Sequence, residues 1–155
     1  MPVDTEAPGS ASPETLPSGT LLELDTPSGP RHLQVLYRRP PYPEVVRLIR
    51  PSAEGGHDPE AIARQDTARI AMIEVGAHLQ NRRLRSLGIA PIPADVRSDQ
   101  GFRVLIRDRS GDGVYSWIWN WEGLQVADTQ DVAGLPLREI LSLDQVERIL
   151  DDLKA

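Results

Sequence analysis

The chain has 155 residues, 39% hydrophobic and 26% charged, the balance of a folded globular chain rather than a disordered one. Cysteine is absent, which excludes disulfides, thiolate nucleophiles and Cys-ligated zinc, and no apolar run approaches the roughly 18 residues of a membrane-spanning helix. The net charge of −6 counts against nucleic acid as the main partner, because phosphate binding calls for a basic surface.

Residues 1–19 are rich in Pro, Ser, Thr, Gly, Ala and Glu and show no periodicity. They read as a disordered tail carrying Asp4, Glu6 and Glu14, with an acidic docking arm as the functional alternative. The opening "MPVDTEAPGS" has no basic n-region and no apolar h-region, so a secretory leader is not expected and a cytoplasmic location is. Residues 20–155 are expected to form a single α+β domain.

From Thr20 the pattern alternates. Leu22 and Leu24 share one face of "TLLELD", "PSGP" supplies turn chemistry, and Leu33, Val35 and Tyr37 share one face of "RHLQVLYRR". This predicts a β-hairpin. "RRPPYP" interrupts the sheet and reads as a rigid corner, since its basic residues are badly spaced for a polyproline ligand. "EVVRLIR" resumes as a third strand with Val46 and Leu48 inward.

One long helix is expected from Asp58, as N-cap ahead of Pro59, to about Leu87, with Gly88 as the stop. Ile62, Ile70, Ile73, Ala77, Leu84 and Leu87 form one helical stripe and Ala68, Met72, Val75 and Leu79 a second. Thr67, Glu74, His78, Asn81 and Arg85 share the polar side. Such a helix would lie across a sheet.

"GFRVLIRD", "GVYSWIWNW" and "EGLQVAD" then read as three strands. Between the first two, "DRSGDG" (Asp108 to Gly113) matches the first half of a calcium loop, but its twelfth position is Trp119, which cannot supply a carboxylate. A hairpin loop is the reading adopted. On the second strand Tyr115, Trp117, Trp119 and Trp121 share a face, as core against the long helix, with Ile73 beside Trp119, or as a binding surface. The chain closes with a helix over "SLDQVERILDDLKA", opened by a Ser142/Gln145 capping box, with Asp144, Glu147 and Asp151 facing out. The expected fold class is therefore α+β, with an antiparallel or mixed sheet of about five to six strands in order βββ-α-βββ-α, one long central helix and a C-terminal helix.

Charge is uneven. Residues 82–109 carry seven Arg against Asp95, Asp99 and Asp108, a balance of +4, and residues 122–152 carry eight acids against Arg138 and Arg148, a balance of −6. His32 reads as a surface strand residue. His57 lies beside Asp58 and Glu60 without a second cluster to complete a metal site, and His78 with Glu74 fits an exposed i,i+4 pair. No nucleophile elbow, P-loop, dinucleotide fingerprint or HExxH motif occurs. No catalytic residue, metal or cofactor is assigned. The expected function is non-catalytic binding of another protein, in its sharper form a neutralising or chaperone-like partner of a basic protein through the acidic C-terminal surface. The candidate binding residues are Tyr115, Trp117, Trp119, Trp121, Asp144, Glu147 and Asp151. The alternatives are an enzyme or small-ligand binder with a pocket between the Trp strand and the long helix, and a single-stranded nucleic-acid binder. No membrane partner is expected.

Overall fold

A computed structural model of the chain describes residues 16–38, 42–51, 58–96, 102–107, 114–119, 124–126 and 139–153. These form two antiparallel sheets with short helices, an α+β arrangement. β1 (Thr20–Thr26) and β2 (Gly29–Tyr37) make the expected hairpin, in register from Leu21 opposite Gln34 to Thr26 opposite Gly29. Thr26 closes the turn: its hydroxyl donates to Gly29 O at 2.7 Å and accepts from the Ser28 N–H at 3.2 Å. Gly29 takes φ +115°, a conformation that a side chain would strain. β3 (Glu44–Ile49) pairs with β2 across the proline corner. Residues 39–41 of that corner lie outside the described residues, and Arg38 Nε donates to Tyr42 O at 3.1 Å across it.

The long helix is not there. Its span is divided into α1 (Pro59–Ala63), β4 (Thr67–Ile73), α2 (Val75–Gln80) and β5 (Leu84–Ile89). The physical reason lies in "RIAMI". A strand covered on both faces is continuously apolar, and over a few residues such a run carries no period that separates strand from buried helix. Thr67, Ile70 and Ile73 are β-branched and favour the strand. Asp58 does stand at the N-cap of α1 with Pro59 next, but its side chain makes no cap hydrogen bond. Gly88, expected as a helix stop, lies in β5 at φ +101°, beside the bulge where Leu87 is the extra residue between Ser86 and Gly88.

The sheet order is β4-β3-β2-β1-β5. The β4 edge is extended by a short parallel bridge, in which Met72 N–H donates to Glu139 O at 3.1 Å and Leu141 N–H to Met72 O at 2.9 Å. That bridge delivers the chain to α3 (Leu143–Asp152), whose capping box is present as expected: Gln145 N–H donates to Ser142 Oγ at 3.2 Å and Ser142 N–H to Gln145 Oε1 at 2.9 Å. The second sheet, in order β6-β7-β8, contains β6 (Phe102–Arg107), β7 (Val114–Trp119) and β8 (Leu124–Val126). Arg107 pairs with Val114, so residues 108–113 join two antiparallel strands, as the hairpin reading required. Residues 108–113, on which the hairpin-loop and calcium-loop readings fall, lie outside the described residues.

Both faces of the five-stranded sheet carry buried apolar clusters. On one face Leu22, Leu24, Leu33, Val35, Val46, Leu48, Ala71 and Ile73 meet Leu143, Val146 and Leu150 of α3 and Val75 of α2. Each Leu, Ile or Val side chain so withdrawn from water contributes about 1.5–3 kcal/mol. Leu16 also packs here, and Gly19 N–H donates to Val35 O at 2.8 Å, so residues 16–19, read with the tail, belong to the fold; residues 1–15 lie outside the described residues.

The far face carries two smaller clusters. Leu36, Val45 and Met72 meet Phe102 and Trp119 of the second sheet, and Leu21 and Ile49 meet Ile62 of α1. Leu36 follows Gln34 onto this face by strand alternation, and a bulge between Val35 and Tyr37 sets Tyr37 opposite Val45 on the same face, away from Leu33 and Val35. Ile73 and Trp119 therefore lie on opposite sides of the sheet, and the expected contact between them is replaced by a cluster that Trp119 shares with Met72.

Between the two far-face clusters lie Gln34 and Arg47, cross-strand partners that are both 0% exposed. Arg47 Nε donates to Gln34 Oε1 at 2.7 Å, and Nη1 donates to Gln65 O and Thr67 Oγ1, each at 3.0 Å. Its Nη2 donates to Ala63 O, a carbonyl at the end of α1 where intrahelical donors run out. Gln34 Nε2 in turn donates to Ala90 O at 2.9 Å and Gly19 O at 3.2 Å. Burial lowers the pKa of the Arg47 guanidinium, and the charge of Asp95 offsets part of that. The pair thus serves three chain segments, at Gly19, Ala63 to Gln65 and Ala90, whose carbonyls face the interior.

Candidate functional site

α3 is amphipathic, and its apolar side is used up by the sheet. Asp144, Glu147, Arg148, Asp151 and Asp152 fall on the remaining arc, following the 100° step of the helix. Three of these are residues that the sequence singled out, and the fold gives them different roles.

Asp151 is engaged internally. Its Oδ1 accepts from Arg31 Nε at 3.3 Å and Nη2 at 3.1 Å, and its Oδ2 accepts from Ser28 Oγ at 3.4 Å. The Arg31 side chain is only 7% exposed, so this pair holds the end of α3 to the β1–β2 hairpin rather than facing a partner. Asp144 lies 3.6 Å from Arg83, and both side chains are largely exposed. Such a pair contributes little, and either member can exchange to another charge at small cost. Glu147 and Asp152 have no ion pair among the described residues. The available acids on this surface are thus Asp144, Glu147 and Asp152, with Arg148 among them. Asp152 was missed by the sequence reading, although helical spacing places it outward.

A second charged group lies on the far face of the sheet, opposite to α3. His32 Nε2 is 3.0 Å from Glu23 Oε2, Arg85 Nη2 donates to Glu23 Oε1, and the same Nη2 donates to Asp25 Oδ1 at 3.1 Å. His32 of β2 and Arg85 of β5 stand directly opposite Glu23 of β1, which also contributes Asp25. A carboxylate beside an imidazole can fix its tautomer and orient it as a base. Here the other carboxylate oxygen is taken by Arg85, which makes Glu23 the central link of a cross-strand ion ladder. His32 is therefore part of a half-buried row rather than a surface residue, and Arg85 is on a strand rather than on a helix face with His78. In α2, burial and then Arg83 lower the pKa of His78 while Glu74 opposes them, and His78 Nδ1 is buried without a hydrogen-bond partner among the described residues. His57 lies outside the described residues, among which no group of three or more His, Cys, Asp or Glu is placed to hold a metal ion.

Of the aromatic strand, Trp119 is buried, 6% exposed, with its ring 4.8 Å from that of Tyr42 in an edge-on arrangement and 6.1 Å from that of Phe102. Tyr115 pairs with Ile106, and Trp117 with Val104 on one side and Val126 on the other. Trp121 lies outside the described residues. The pocket expected between this strand and a long helix has no second wall, because that helix is divided into other elements, and the second sheet packs on the far face, away from α2 and α3. Compared with known protein families, curated proteins and solved structures, the chain matches none.

Proposed function

We propose that the chain is a non-catalytic protein-binding domain that offers the outer face of α3 to a basic partner. The observation that carries this reading is the division of labour among the α3 acids. Asp151 is tied to buried Arg31 and fixes the helix, while Asp144, Glu147 and Asp152 stay at the surface of a helix that the sheet holds rigidly. A row of charges on a rigid element steers encounter and fixes register, more than it adds raw affinity. The burial of Trp119 weighs against the single-stranded nucleic-acid reading, since base stacking needs an open aromatic face.

The test is calorimetric titration of an arginine-rich peptide at low and at high salt. Binding should weaken as salt rises. The Asp144→Asn/Glu147→Gln/Asp152→Asn variant should lose at least about tenfold in affinity, or about 1.4 kcal/mol, with unchanged thermal stability. Equal binding by parent and variant would overturn the proposal. Tighter binding of a single-stranded oligonucleotide than of the peptide would favour the nucleic-acid alternative.

A further inference from the structure

We draw no further inference here: the strongest candidate, the outer edge of β5 with Ile89 66% exposed, ends the sheet with no strand beside it among the described residues, and nothing in the structure shows what covers it.

Discussion

The face of the sheet under α3 is closed by aliphatic side chains from five strands and two helices, whereas the far face has Gln34 and Arg47 at its centre with an apolar cluster on either side. The polar atoms fare in the reverse sense. Arg47 and Gln34 are supplied with partners on the far face, while the α3 side holds Glu44 Oε2 and His78 Nδ1 buried without one among the described residues. The contrast shows two ways to seal a sheet. A helix brings its own internally paired backbone and needs only apolar side chains. A cover built from α1, the β5 exit and the Gly19 strand entry presents carbonyls, and those need donors at the sheet surface. One guanidinium with five N–H groups in a planar fork meets that need better than several small donors.

The largest expected effect is on the far face. Trp119→Ala should cost about 3–5 kcal/mol through lost burial and a cavity. Denaturant unfolding measures it, and a loss under about 1 kcal/mol would mean that the second sheet contributes little to closing this face.

Arg47→Met comes next. It keeps much of the stem but leaves Gln34 Oε1, Thr67 Oγ1 and the carbonyls of Ala63 and Gln65 without their donor. Removing a buried charge returns part of that loss, so the net should be about 2–4 kcal/mol. Arg47→Lys should also destabilise, since an ammonium lacks the fork. A Met variant as stable as the parent would show that apolar packing alone seals the far face.

The smallest effect belongs to the α3 side and to pH. His78 has its pKa lowered below the ordinary 6.5, with desolvation the main cause. A group with a depressed pKa binds protons more readily when unfolded. Stability should therefore be level above pH 6.5 and decline as the pH falls from 6.5 toward the folded-state pKa. His78→Gln should flatten that part of the stability-pH curve. An unchanged slope in the variant would assign the decline to other groups.

Elements set by local signals were legible in the sequence. The β1–β2 and β6–β7 hairpins follow from alternation and turn residues, and α3 from the Ser142/Gln145 box with Val146 and Leu150 at helical spacing. The stretch from Asp58 to Leu87 was not legible, because Ile70, Ala71, Met72 and Ile73 are apolar without a break and helix spacing fits them as well as strand alternation does. Arg47, a charge in the middle of "EVVRLI", was a signal passed over; it marks a buried polar partner on a strand covered on both faces. For the candidate site, the exposed placement of Asp144 was readable from helical spacing, whereas Glu147 is half-buried. The fate of Asp151 was not, since its partner Arg31 is 120 residues away in the chain.

The central claim is that neighbouring residues of β4 serve separate faces, and double-mutant cycles with Trp119→Phe test it most directly. Ile73→Val combined with Trp119→Phe should be additive within about 0.3–0.5 kcal/mol, because a sheet layer separates the two sites. Met72→Ala combined with Trp119→Phe should show coupling above about 0.5 kcal/mol, since both belong to one far-face cluster. Coupling through Ile73 together with additivity through Met72 would contradict the account and reverse the assignment of the two faces.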